Sequence, residues 1–369
     1  MSAKGEGAGG GSRARKKLSV GEDPEGGVPE ENDGGAEFEK AAAAAPKSPA
    51  AATVTPAPKV VQEAYRIVRR CTGSLGGNGA GGAIYGELTI QSMQKVVAMM
   101  CRDANLGPDS LFIDIGSGLG KPNLHVALEP HVRCSVGVEM EEVRWQLSLH
   151  NLKHVLRADL TAGSAAPAGA APPNVIFLQR DVMNAATLDP FTHIYLFDIG
   201  MPPKLFAHLA DCLQKSTKAQ FLLCYHGPTM MIEKYRFPMD FLTKLPTSMH
   251  GSLSHPLVLI EDAFRAQILM AVVGALLPGS GEGHTAYLYR CHRNSGARSS
   301  RGNRSASAQD TLTDDEICAS SDPLFKEAFD VLLGQEGSPS LQEWVDLHST
   351  TSTSTSTRRS RRIENRTSS

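Results

Sequence analysis

Seven cysteines are spread over positions 71, 101, 134, 212, 224, 291 and 318, without a CxxC pair and without zinc-ligand spacing. That scatter excludes a disulfide scaffold and a zinc ribbon, and fits reduced thiols inside a cell. The opening MSAKGEGAGGGSRARKK has no apolar core of the kind a secretory signal needs. The longest apolar run, Ile268 to Leu277, is too short to cross a bilayer, which takes about 20 residues of helix. A formal net charge of −2 rules out a polycation. What these absences leave is a soluble intracellular protein, with no membrane span and no metal expected.

Apolar residues make up 41% of the 369, enough for a sizeable core, but they concentrate between 59 and 293. One globular domain is expected there, flanked by extensions too poor in apolar surface to fold. Residues 1–58 are low-complexity Gly, Ala and Pro. Residues 294–369 are expected to be a mostly disordered Ser/Arg-rich tail, with one possible short helix in PLFKEAFDVLL. Basic clusters sit in both extensions, at 13–17 and 358–362. Such clusters serve as nuclear import signals, as phosphate grips or simply as solvated tails.

Within the domain, helical periodicity runs from about Val60 to Arg70 and again from 89 to Ala104, with a Gly-rich stretch between. The period then changes. LFIDI (111–115), RCSVGVE (133–139), NVIFLQ (174–179), HIYLFDI (193–199) and QFLLCYH (220–226) read as buried strands, most of them followed by helical sequence. A last strand is expected at TAYLYRC (285–291). Alternating strands and helices imply a parallel sheet covered on both faces. With an antiparallel final strand this becomes the Rossmann-like, seven-stranded α/β fold of class I methyltransferases.

The strongest local signal is Asp114-Ile115-Gly116-Ser117-Gly118-Leu119-Gly120, between a buried strand and a helix. Glycines there let the backbone turn sharply and let a ligand approach it closely. A dinucleotide fingerprint wants glycine at 121, where this chain has Lys121. Asp114 would repel a pyrophosphate but suits the cationic methionine end of S-adenosylmethionine. Glu139 closes the second strand, 19 residues after Gly120, where a carboxylate can accept from both ribose hydroxyls. Asp181 follows the third strand and is placed to read the adenine amino group. Three acids at three successive strand ends point to an adenosyl cofactor.

The segments Tyr85-Gly86-Glu87-Leu88, FIDIGSGLGKPNLHVA and Gly137-Val138-Glu139 resemble the disruptor-of-telomeric-silencing (DOT) family. These are the histone H3 lysine methyltransferases without a SET domain, and the wording is nearest the kinetoplastid branch. The resemblance covers roughly 60–293. It implies that Tyr85, Glu87 and Leu88 belong to a loop closing over the methionine end. It further implies that Asp114, Gly116, Ser117 and Gly118 form the methionine turn, that Lys121 stands where many members have Gln, and that Glu139 and Asp181 hold ribose and adenine. The paired asparagines of many members are missing after the fourth strand, and Asp198 stands in their place. A stretch at 252–280 reads as an insertion between the last two strands, with Ser252–His255 in the place of an aromatic channel residue.

The implied chemistry is in-line methyl transfer to a neutral lysine amine, which needs alignment and exclusion of water more than acid–base groups. An apolar lining would lower the lysine pKa from about 10.4, and Tyr85, Tyr225, Phe197 and Met201 are candidates for it. Asp198, Tyr85 and Glu87 are the expected catalytic positions. The implied partner is a nucleosome, met through histone H3 and possibly DNA, in the nucleus. Two rivals stand beside this reading. One is a class I N-methyltransferase acting on nucleic acid or a non-histone protein. Its Asp/Asn-Pro-Pro-Tyr motif is matched only by Asp198 and Pro202-Pro203, with Lys204 where the aromatic belongs. The other is an inactive interaction module of the same shape.

Overall fold

In the computed structural model the described residues are 55–72, 87–158, 160, 173–248, 284–292 and 311–349. They all fall within the unit Val54–Ser369. Helix α1 (Lys59–Thr72) places Val61, Ala64, Ile67, Val68 and Thr72 on one buried stripe, the three-to-four spacing of an amphipathic helix. Helix α2 (Ile90–Ala104) starts at Thr89, whose hydroxyl accepts from the Ser92 N–H at 3.1 Å. It stops at Asn105, in left-handed conformation at φ 54°.

The central strands are β1 (Leu111–Ile115), β2 (Cys134–Glu139), β3 (Val175–Gln179), β4 (His193–Leu196) and β5 (Phe221–Cys224). Helices α3 (Lys121–Leu128), α4 (Glu142–Arg157) and α5 (Pro203–Lys215) follow β1, β2 and β4. Strands β6 (Met239–Pro246) and β7 (Thr285–Cys291) complete the sheet. Its order is β3-β2-β1-β4-β5-β7-β6, with β1 to β5 parallel and β7 antiparallel to both neighbours.

Every residue of β1 and β2 is buried, as expected of strands covered on both faces. Leu111, Ile113 and Ile115 enter one core, while Phe112 enters a second with Val96 and Met100 of α2. This is the class I methyltransferase fold, as the sequence implied. The expected final strand is β7. Strand β6, whose exposed positions at Asp240 and Phe241 blur its alternation, is not legible in the sequence. The proposed insertion at 252–280 lies outside the described residues.

A correction concerns the region after 294. Residues 311–349 are not a tail: they fold onto the domain as α6 (Asp314–Ser320), α7 (Lys326–Leu332) and a helix α8 over 341–349. Phe325 and Phe329 are fully buried against Phe191, with ring centroids 5.0 and 5.2 Å away. The Asp322 carboxylate accepts from the backbone N–H groups of Ala186 and Thr187, each at 2.9 Å. Arg180 pairs with Glu327 at 2.8 Å, and Trp344 is buried, donating to Glu327 at 2.8 Å. The expected helix in PLFKEAFDVLL is α7. The physical reason for the correction is that Ile317, Phe325, Ala328, Phe329, Val331, Trp344 and Val345 are buried in the main core, which opposes the entropy cost of ordering the segment. Its N-terminal edge is fixed by a Thr313/Glu316 capping box.

Phe329→Ala is therefore expected to cost about 3–5 kcal/mol of stability, the range for emptying a buried aromatic site. Urea unfolding checks it. A variant as stable as the parent would place 311–349 outside the cooperative unit.

Candidate functional site

Parallel α/β sheets bind ligands beyond the carboxyl ends of their strands, where the strand order reverses. Here that reversal lies between β1 and β4, and a cavity of about 330 Å³ opens there. That is within the range of cofactor pockets, roughly 300–1,000 Å³.

The loop after β1 forms its floor. Gly116, Gly118 and Gly120 have φ of 78°, 54° and 80°, a region that costs a residue with a Cβ. At Gly120 there is a second constraint, since a Cβ would lie 2.2 Å from the Phe177 ring. The N–H groups of Gly116 and Ser117 donate to the Val138 carbonyl at 2.8 and 3.1 Å, folding the loop onto β2. Glu139, at the end of β2 and 4% exposed, accepts from the N–H groups of Gly118 at 2.8 Å and Glu141 at 2.9 Å. A carboxylate has about four lone-pair sites, so Glu139 can hold the turn and still accept from a diol.

Asp114 is 2% exposed, and burial, then the charge of Glu139, hold its carboxyl well above the usual carboxylate range. Among the described residues, its Oδ2 and the Ser117 Oγ are buried with no hydrogen-bond partner, and both residues line the cavity. Buried polar atoms are normally satisfied. An ammonium arriving at Asp114, with a polar group at Ser117, would satisfy both. The residues thus fit the amino-acid end of S-adenosylmethionine.

Most of the expected residues converge on this cavity: Glu87, Leu88, Asp114, Gly116, Ser117, Lys121, Glu139 and Asp181 all line it. Gly118 stands just behind, as a donor to Glu139. Asp181 also accepts from the Met183 N–H at 2.9 Å, opening a short 3-10 turn. Glu87 and Lys121 are ion-paired with each other across the wall, at 20% and 15% side-chain exposure. Lys121 opens α3, where a cation opposes the helix dipole, and Glu87 offsets that charge. Tyr85 lies outside the described residues. Of the expected aromatic lining, Phe197 reaches the wall, as does Met201, while Tyr225 is buried behind Tyr195, their hydroxyls 3.2 Å apart.

Asp198 is a correction. It was expected as a catalytic position, but it is fully buried and does not line the cavity. Its Oδ1 accepts from the Tyr225 N–H and its Oδ2 from His226 Nδ1, each at 2.8 Å. An acid at the end of β4 is close enough to β5 to cap the backbone there, and it does so. Its role is to tie two strand ends together.

Sequence reasoning missed Tyr65, Tyr195 and Met93 in the wall. Tyr65, on α1, donates to His125 Nδ1 at 3.2 Å, and His125 Nε2–H donates to Gln94 Oε1 at 2.8 Å. Burial lowers the His125 pKa to about 3, so the ring is neutral and can accept from Tyr65. No local motif marks these residues. Only the packing of α1, α2 and β4 around the cavity reveals them.

Residues 79–161 match the family described as "Histone methylation protein DOT1". No curated protein matches the chain. Among solved structures it is similar to magnesium protoporphyrin IX methyltransferase from Synechocystis, with bound SAM. That pair is 13% identical over 63% of this chain and 84% of the other, with a TM-score of 0.35. It is also similar to an RNA methyltransferase from Salinibacter ruber in complex with S-adenosyl-L-homocysteine, 22% identical over 35% of this chain and 73% of that one, TM-score 0.27. Likenesses this distant add nothing to what the strand order shows. Among the described residues, no helix is long and apolar enough to cross a membrane.

The Asp198–His226 pair gives a pH dependence. Its hydrogen bond raises the His226 pKa above the ordinary value near 6.5, against an opposing effect of burial. A raised folded-state pKa contributes stability that is fully present below the unfolded value and is lost as pH rises through the folded one. Unfolding free energy should therefore fall from about pH 6.5 upward, and His226→Gln should remove that part of the fall. Parallel profiles for parent and variant would show that the pair carries no linkage.

Proposed function

We propose that the chain is an S-adenosylmethionine-dependent histone methyltransferase acting on a lysine in the globular core of nucleosomal histone H3. The observation that carries the cofactor is the set of Asp114, Ser117 and Glu139 around one glycine turn, with two buried polar atoms that lack partners among the described residues. The histone substrate is supported by the 79–161 family match and by the resemblance of the Tyr85–Leu88 and 112–127 segments. The nearness to the kinetoplastid branch rests on wording alone and belongs to the same proposal, as does a nuclear location.

When bound, the cofactor supplies an electrophilic methyl group on a sulfonium. The protein's own contribution is position and desolvation. Asp114 holds the ammonium, Glu139 accepts from the ribose hydroxyls and Asp181 meets the adenine side. The Glu87–Lys121 pair fixes the chain at Glu87 against the start of α3. Tyr65, Tyr195, Phe197 and Met201 form an apolar and aromatic wall that keeps water from the reacting atoms. Such a wall favours the uncharged lysine amine, the only form that can attack. No side chain lining the cavity is required as a general base, since the amine can arrive neutral. Basic residues at 13–17 and 358–362 lie outside the described residues, and their proposed contact is with DNA phosphates.

The test is labelled methyl transfer to nucleosomes, free histone H3 and RNA in parallel, with mass mapping of the product. Label on nucleosomal H3, at a lysine in its folded body, is expected. Transfer should weaken steeply with salt, with a slope of about 0.9 per phosphate contact. Label on RNA or a non-histone protein with none on nucleosomes would overturn the substrate while leaving the methyltransferase.

A further inference from the structure

Away from the cofactor cavity, α1 and α4 bring together three metal-binding side chains that lie far apart in sequence. His150 and His154 are four residues apart on α4 and so share one face, with ring centroids 4.6 Å apart. Cys71, in the last turn of α1, lies beside them. One ligand atom from each of Cys71, His150 and His154 falls within 4.8 Å of the others. Beside them is a surface cleft lined by Ile67, Arg70, Cys71, His154, Arg157 and Ala158.

We infer that Cys71, His150 and His154 form a zinc-type metal site that fastens α1 to α4. One thiolate and two imidazoles are the ligands a borderline-soft divalent ion prefers. Zinc takes such ligands at about 2.0–2.3 Å in a tetrahedron, so binding draws the three ligand atoms, now within 4.8 Å of one another, closer together. The cleft leaves room for a solvent molecule in the fourth position. Two nearby cations do not forbid the ion. Arg70 pairs with Glu63 at 3.3 Å, and Arg157 pairs with Asp346 at 3.1 Å. The two helices are already in register at this level, where the Thr72 hydroxyl donates to Asn151 Oδ1 at 3.3 Å.

The site is distinct from the methyl-transfer cavity and does not depend on its assignment. It bears on that cavity through α1, which carries Tyr65 into the wall. An ion bound to the folded protein and not to the unfolded chain also stabilises by mass action.

Full-length protein without a polyhistidine tag, equilibrated with Co²⁺ and separately with Zn²⁺, tests this. The expected result is one equivalent of Zn²⁺ per chain, a thiolate-to-cobalt absorption band and a rise in Tm with either ion. Cys71→Ser, a near-isosteric change, should abolish the band. His154→Ala, at an exposed position, should weaken Zn²⁺ binding by more than about tenfold. Circular dichroism establishes that both variants fold. Absence of the band in the parent, its survival in Cys71→Ser, or unchanged Zn²⁺ affinity in His154→Ala would each overturn the site.

Discussion

Two carboxylates buried at the ends of adjacent strands repel each other, and the rest of the site depends on how the fold tolerates that. Asp114 and Glu139 are 2% and 4% exposed. Burying a charge is costly unless it is paired or hydrogen-bonded. Glu139 is compensated by two backbone N–H groups, one from Gly118 in the loop that glycines shape and one from Glu141 just after β2. Asp114 has no such compensation at Oδ2, and its carboxyl is driven toward the protonated form. The site is therefore built around a carboxyl waiting for a cation, a pattern typical of functional positions.

That constraint orders the surroundings. The glycine turn must lie on β2 so that Glu139 can hold it, and the Phe177 ring packs where a side chain at Gly120 would be. Asp198 clamps the end of β4 to the end of β5. Tyr65 is oriented by a neutral His125 and in turn by Gln94. None of these groups has to move a proton. Their shared effect is a fixed cavity, which suits group transfer by alignment.

Much of this was legible in the sequence because it is local. The β1 run, the glycines and the acids at 114, 139 and 181 follow one another in the order that a doubly wound sheet converts into adjacency. Asp198 was misread because its partner choice is tertiary: the strand end was recognised, but not that Tyr225 and His226 would claim both oxygens. The 311–349 segment was misread because Ser- and Arg-rich surroundings masked two signals, the Thr313–Glu316 cap and the aromatics at 325, 329 and 344. In the Cys71, His150 and His154 cluster the His150/His154 spacing is local, but Cys71 lies on another helix and only packing joins it to them. Strand β6 was illegible because its exposed edge positions carry no clean alternation.

The central claim is that Asp114 is held ready for a cation and receives the ammonium of S-adenosylmethionine. Titration calorimetry in two buffers of different ionisation enthalpy tests it directly. Because burial and Glu139 raise the Asp114 pKa, binding to the parent protein should release protons increasingly as pH is lowered, as Asp114 ionises on meeting the ammonium. Asp114→Asn, matched in shape, should bind more weakly and release none. Equal affinity and equal proton release in parent and variant, or no binding to the folded parent, would contradict the account.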